Sequence, residues 1–196
     1  KAVYMALQKY DAEHRQVGGR FSGDEHLAGK RPTQGTEMCA VVESMFSLEK
    51  LIEIFGDVAF ADRLELLAYN SLPGTMTPDC WAHQYDQQAN QVLCSVAKRD
   101  WSTNGDHSNI YGLMPNYPCC LANFHQGWPK FVEHMWYALP EGGLLAMAYG
   151  PSTVKAEVAK GIQATIVETT NYPFSDTLTF AIALPKAAEF KIAFRI

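Results

Sequence analysis

The chain has 196 residues, of which 47% are hydrophobic and 19% are charged, and its formal net charge is −5. This composition is sufficient for one globular domain or two small ones, whereas an acidic chain lacks the basic face that binding to nucleic acid or to an anionic membrane surface requires. The sequence contains no continuous apolar run long enough to span a bilayer.

The chain begins inside a helical pattern. Residues 1–14, KAVYMALQKYDAEH, predict a helix that is already under way at Lys1. We therefore expect the sequence to be a fragment of a longer protein. Residues 18–29, GGRFSGDEHLAG, follow as a glycine-flanked loop. Its acidic pair, Asp24 and Glu25, either forms a solvated turn or is presented by the loop into a cleft.

Two helices joined by a short turn are predicted next. In the stretch TEMCAVVESMFSLEKLIEIFG, apolar residues recur at helical spacing, which predicts a helix over residues 37–55 with Thr36 as its cap and Gly56 as its stop. Asp57 can then cap a second helix over residues 57–72, which a Pro-Gly pair ends. The apolar stripe of the first helix comprises positions 38, 41, 42, 45, 48, 52 and 55.

The middle of the chain has no clear period. Residues 75–118 are rich in Asn, Gln, Asp, Gly and Pro, and so long an irregular segment in a compact domain is often functional. A helical pattern resumes over residues 120–138, where Pro129 either kinks the helix or lies in the first turn of a new one.

The last quarter of the chain alternates between apolar and polar residues. Short runs such as TVKAEV and TLTFAIAL, separated by Gly, Pro, Asn and Ser, predict antiparallel strands over residues 143–196. Helices followed by a block of strands indicate two domains rather than an alternating α/β fold. The division is expected near residue 140.

The five cysteines, at positions 39, 80, 94, 119 and 120, are too few and odd in number for a disulfide-stapled scaffold. Reduced thiols or a metal site fit better and favour a reducing compartment such as the cytoplasm. The neighbours Cys119 and Cys120 are poorly placed to bond each other, since a vicinal disulfide closes a strained ring. They are two inert buried thiols, members of two separate disulfides, or two thiolates directed at one metal.

A metal site can be assembled from two short motifs, E-x-C and C-C. Glu37 and Cys39 can converge where a helix starts, and both adjacent cysteines can reach a metal if the backbone after Pro118 is irregular. The four side chains would complete a tetrahedral zinc site. From spacing alone, buried thiols remain the simpler interpretation. Cys80 and Cys94 are expected outside any such site, and the six histidines show no metal-binding spacing.

The order of these motifs resembles glycoside hydrolase family 127. The resemblance rests on E-x-C at the start of a helix, C-C roughly eighty residues later, and strands that open with GGLLAMAYGPS and include TNYPFSDTLTFAI. Those enzymes are β-L-arabinofuranosidases and relatives with an (α/α)6 barrel followed by β-sandwich domains. The resemblance implies that residues 1–140 are the last helices of the catalytic barrel and residues 141–196 the first strands of the sandwich. Such a fragment is expected to be inactive in isolation.

The resemblance also implies a reaction and a cofactor. A retaining glycosidase that releases β-L-arabinofuranose or a related sugar would use Cys119 as nucleophile and Glu25 as acid/base. Where the family usually has CCPPN, this chain has CCLAN, so that Asn123 is kept. The implied zinc ligands are Glu37, Cys39, Cys119 and Cys120. The alternatives are a non-catalytic member whose structural zinc site supports a carbohydrate-binding or scaffold protein, and a helical interaction scaffold without metal.

Overall fold

The structure is a computed structural model that describes residues 1–99 and 105–196. A mainly helical part comes first and a strand-rich part follows, as predicted. A 3-10 turn covers Val17–Gly19, and a π-helical turn, Leu67–Ser71, joins α3 to α4. The helices of the described residues are α1 (Ala2–Glu13), α2 (Met38–Phe55), α3 (Val58–Leu66), α4 (Leu72–Gly74), α5 (Cys119–Phe124) and α6 (Gly127–Glu133).

Helices α2 and α3 form the predicted hairpin. Gly56 ends α2 in the left-handed conformation, with φ 63°, and its N–H donates to the carbonyl of Ile52. The Asp57 carboxylate accepts a hydrogen bond from the N–H of Ala59 at 3.0 Å and so caps α3. Phe55 leaves the predicted stripe, because it is 46% exposed. The buried apolar stripe of α2 is Met38, Val41, Val42, Met45, Leu48 and Ile52.

The helix predicted over residues 120–138 is wrong in its extent. It is two helices, α5 and α6, and Pro129 lies in the first turn of the second, where proline is tolerated. Residues Trp136–Ala138 form strand β3 instead and pair with β4, Leu144–Ala146. The aromatic residues of β3 suit a strand, and pairing with β4 supplies the hydrogen bonds that a further helical turn would have made.

The strands of the described residues form three small sheets. Strand β1, Gly35–Glu37, pairs antiparallel with β2, Asp86–Gln88, inside the helical part. The sequence pattern does not predict this pair, and β2 lies within the segment 75–118 that is expected to be irregular. Residues 100–104 of that segment lie outside the described residues. The later strands are β5 (Ser152–Ala159), β6 (Ile162–Thr170), β7 (Leu178–Ala183) and β8 (Ile192–Phe194).

The strand-rich part is largely antiparallel, as expected. Strands β5, β6 and β7 form one antiparallel sheet, and no helix lies within residues 164–184. Strand β8 differs from the prediction, because it returns beside β4 in the same direction and pairs with it in parallel. Among the described residues, none of the helices has the length and apolarity needed to cross a membrane.

Polar contacts join the two parts beside their apolar cores. The larger core lies between α2, α3 and α6 and extends to Met147, and the smaller one lies against the sheet of β5, β6 and β7. Arg195, beyond β8, forms ion pairs with Asp62 and Glu65 of α3. The Tyr172 hydroxyl, between β6 and β7, also donates to Glu65, at 2.7 Å. These contacts attach the strand-rich part to the helical hairpin.

Candidate functional site

The first half of the site lies where strand β1 turns into helix α2. Glu37 is the last residue of β1 and still has an extended backbone, with φ −62° and ψ 138°. Met38 then opens the helix, and its N–H donates to the carbonyl of Tyr85 at 2.9 Å. Because the chain changes from strand to helix between them, Glu37 and Cys39 converge although two residues apart. Thr36 is not the cap, since it lies in β1 and its hydroxyl donates to the Phe21 carbonyl.

The second half of the site is the first turn of α5. Cys119 and Cys120 are the first two residues of this short helix and follow Pro118. Cys120 is fully buried in the larger core, whereas Cys119 is only partly buried. Helix α5 lies against α2. The adjacent cysteines therefore differ in surroundings: one belongs to the core and the other keeps access to solvent.

The structure brings the four predicted ligand side chains together. The Sγ atoms of Cys39 and Cys120 are 3.5 Å apart, and Glu37 Oε1 lies 3.2 Å from Cys119 Sγ and 3.8 Å from Cys120 Sγ. All four donor atoms lie within 4.8 Å of one another. The edges of a tetrahedron around zinc are about 3.6–3.8 Å for Zn–S bonds of about 2.3 Å and a Zn–O bond of about 2.1 Å. The donors present thus fit a zinc ion.

The thiols of this cluster do not ionise independently. A hydrogen bond with Cys120 lowers the pKa of Cys39, and Asn123 adds to that effect. Burial, followed by the hydrogen bond to Glu37, raises the pKa of Cys119 to about 12. The hydrogen bond with Cys39 and burial raise the pKa of Cys120 as well. Three thiolates beside one carboxylate would repel one another, and a divalent cation is the group that stabilises all of them in the ionised form.

Glu25 lies on a loop that is bound to the same strand. The N–H of Gly23 donates to the Gly35 carbonyl, and the N–H of Glu37 donates to the Gly23 carbonyl, both at 2.8 Å. Glu25 itself has φ 69°, an uncommon value for a residue other than glycine. Glu25 and Glu37 both line a cavity of about 470 Å³ between this loop, α1 and α2. The structure therefore places the predicted acid/base on the cavity that Glu37 reaches from the cysteine cluster.

Tyr85 connects Glu25 to the cluster, and sequence reasoning missed it. Its phenol donates to Glu25 Oε1 at 3.2 Å, and its carbonyl oxygen lies 3.9 Å from Cys120 Sγ. Burial, together with the negative charges of Glu37, Glu25 and Cys119, raises the pKa of the Tyr85 phenol. The only signal in the sequence was the length of the irregular segment that contains it.

Buried acidic residues lie behind the site. Asp86 is 2% exposed and Asp24 is 4% exposed. Burial, followed by the charges of Asp24 and Glu37, raises the pKa of Asp86, while Arg20 opposes the shift. The Asp86 carboxylate lies so close to Gly35 that a Cβ there would be 1.9 Å from Oδ1. Glycine at position 35 therefore lets β1 approach β2 and sets the position of Glu37.

Comparison with known proteins identifies the family. The family model described as the catalytic domain of GH127 β-L-arabinofuranosidases matches residues 12–133, more than half of the chain. The chain belongs to the GH127 family. No curated protein matches the chain significantly.

Solved structures share the fold of this GH127 chain. A GH127 β-L-arabinofuranosidase from Geobacillus stearothermophilus T6 matches 97% of the chain and 30% of its own length, with 17% identity and a TM-score of 0.73. A second structure, of a glycoside hydrolase, matches 94% of the chain and 33% of its own length, with 19% identity and a TM-score of 0.74. A third structure, of a GH127 β-arabinofuranosidase, matches 98% of the chain and 30% of its own length, with 16% identity and a TM-score of 0.76. The chain spans about a third of the length of these proteins.

Proposed function

We propose that this chain is part of a retaining glycoside hydrolase that releases β-L-arabinofuranose or a related sugar from a carbohydrate substrate. The observation that carries the proposal is the cluster of one carboxylate and three thiols in a chain of the GH127 family. We further propose that residues 1–140 are the last helices of an (α/α)6 catalytic barrel and that residues 141–196 begin a β-sandwich. The length of the solved relatives supports further barrel helices outside these residues.

The proposed metal is a zinc ion held by the four side chains of the cluster. Their separations and the soft thiolate donors support zinc over magnesium or calcium, which prefer oxygen ligands. When bound, zinc supplies the positive charge that keeps the cysteines ionised at neutral pH. The ligands are Glu37, Cys39, Cys119 and Cys120.

The proposed reaction has two steps. In the first, Cys119 Sγ forms a bond to the anomeric carbon, and the glycosidic C–O bond breaks while Glu25 gives its proton to the leaving oxygen. In the second, Glu25 takes a proton from water, the water oxygen bonds to the same carbon, and the C–S bond breaks. Two inversions retain the anomeric configuration. The partial exposure of Cys119 supports its role as nucleophile, while fully buried Cys120 is suited to anchoring.

A structural zinc site is the second candidate. Four protein donors and no open position are typical of structural zinc, and the cluster joins β1, α2 and α5. In that case the protein would bind carbohydrate or act as a scaffold without hydrolysing it.

The test uses the full-length protein that contains this chain, loaded with zinc. We expect hydrolysis of an aryl β-L-arabinofuranoside with retention of configuration, followed by NMR, and loss of turnover in Cys119→Ser. Glu25→Gln should give an initial burst on the aryl substrate and then stall, because release of the sugar from sulfur needs the base. Cys94→Ser, at an exposed thiol outside the cluster, is the matched control.

The outcomes separate the two candidates. A zinc-loaded protein that hydrolyses no β-L-arabinofuranoside, but loses stability when zinc is removed, supports the structural site. Wild-type rates for Glu25→Gln on both natural and aryl glycosides would remove Glu25 from the mechanism, and Asp24 would then be the next residue to test.

A further inference from the structure

Tyr85 contacts each of the segments that carry the proposed chemistry. Its carbonyl accepts the N–H of Met38 in the first turn of α2, and the same oxygen lies 3.9 Å from Cys120 Sγ. Its ring makes an edge contact with the ring of Tyr117, two residues before the cysteine pair, at 5.4 Å between centroids. Its hydroxyl reaches the loop that carries Glu25. Tyr85 is itself fully buried, so both ends of the residue are fixed.

Glu25 has little else to fix its side chain. It is an exposed residue with a left-handed backbone in a loop. Among the described residues, the Tyr85 phenol is the one group that hydrogen-bonds its carboxylate, at 3.2 Å to Oε1. A tyrosine phenol carries its proton at neutral pH and can therefore donate a hydrogen bond. Donation to Oε1 leaves the other oxygen, Oε2, to carry the proton that is transferred.

We propose that Tyr85 is a positioning residue that holds the Glu25 carboxylate in its orientation for proton transfer. This inference rests on the proposed role of Glu25 as acid/base. A rigid, buried ring is suited to this role because it contacts α2 and the segment before the cysteine pair at one end and holds a loop side chain at the other. The acid/base and the thiol cluster are thereby kept in a fixed relation although they lie on separate segments.

The test is Tyr85→Phe in the full-length, zinc-loaded enzyme. The substitution keeps the ring and its contact with Tyr117 and removes only the hydroxyl. For substrates with poor leaving groups, which need protonation, kcat/KM should fall by roughly 10- to 100-fold, the loss expected for one hydrogen bond to a charged group. The burst on an activated aryl glycoside should change little. A structural defect would lower both rates together. Tyr111→Phe, which removes a phenol bound to the Gly74 carbonyl, is the matched control.

Two further measurements make the result specific to Glu25. In a Glu25→Gln background, Tyr85→Phe should cost nothing more on the poor leaving group, because it acts through Glu25. A crystal structure of Tyr85→Phe should show the Glu25 carboxylate displaced. Equal losses on both substrates, full additivity, or an unmoved carboxylate would overturn the positioning role. An inactive wild-type enzyme would refute the proposed function instead, and the crystal structure would still decide whether Tyr85 orients Glu25.

Discussion

Replacing Glu49 by glutamine should stabilise the protein above neutral pH and change little in acid. Glu49 lies in the middle of α2, its side chain is 0% exposed, and among the described residues its carboxylate oxygens have no hydrogen-bond partner. His134 Nδ1 lies 3.4 Å from Oε2. Burial raises the pKa of Glu49 to about 7, and the cations Lys130 and Lys50 only partly oppose this. Glu133 adds to the rise, and Tyr137 donates its hydroxyl to the Glu49 carbonyl.

The sign and size of the effect follow from the two pKa values. In the folded state Glu49 has a pKa of about 7, against an ordinary value of 4.5 that we assign to the unfolded chain. The folded state therefore binds this proton more tightly, so the stabilisation from protonated Glu49 is complete below 4.5 and is lost as the pH rises through 7. The difference between the folded and unfolded pKa values corresponds to about 3 kcal/mol of unfolding free energy. Glutamine has no proton to lose and should keep that amount at high pH.

Urea unfolding of the chain and of Glu49→Gln from about pH 4 to about pH 9 measures this difference. Other titrating groups cancel between the two proteins, so the variant's advantage should grow from near zero to about 3 kcal/mol as the pH rises. Glu53→Gln, at a 55% exposed carboxylate of the same helix, is the control and should show no such growth. A difference that is constant with pH, or a variant less stable than wild type at high pH, would refute the reasoning.

Three further changes test other parts of the structure. Arg195→Met leaves the buried Glu65 carboxylate without its cation and should cost about 3 kcal/mol or more in chemical unfolding; adding Glu65→Gln should restore part of it, and no recovery would contradict the ion pair. Gly35→Ala puts a Cβ 1.9 Å from Asp86 Oδ1, so elemental analysis should find less of the proposed zinc than in the wild-type protein; an equal metal content would contradict the role of β1. Asp57→Ala removes the cap of α3 and should lower the unfolding free energy by about 1 kcal/mol, whereas an unchanged midpoint would show that water replaces it.

Local signals made the helical hairpin predictable. Each of its determinants acts on residues close to it in the sequence. These determinants are the apolar stripe of α2, the left-handed Gly56 and the Asp57 cap. Glu49 shows the limit of the same pattern. It lies beside the stripe, and a sequence pattern cannot distinguish a charged residue at the exposed edge of a helix face from one that is completely buried, as Glu49 is beside His134.

Non-local pairing explains what the sequence pattern missed. Strand β1 exists because residues about fifty positions away, in β2, pair with it. The prediction that Thr36 caps α2 is wrong because this pairing leaves no signal in the sequence near Thr36. Trp136–Ala138 is likewise a strand only through β4. Tyr85 belongs to the same class. Nothing adjacent to it marks a role, and its contacts are with a loop sixty residues earlier and a cysteine thirty-five residues later.

The adjacent cysteines are best understood through the weakness of the helix that carries them. Helix α5 has six residues, too few to be stable by local hydrogen bonds alone, so tertiary contacts must fix it. Cys120 provides one such contact by entering the core, where its Sγ meets Cys39. Cys119 then takes its place beside Glu37 because its neighbour is anchored. Without an anchored neighbour on this short helix, the sulfur of the proposed nucleophile would be less firmly positioned. Placing an anchoring thiol at the next position limits that motion and leaves the first sulfur partly exposed.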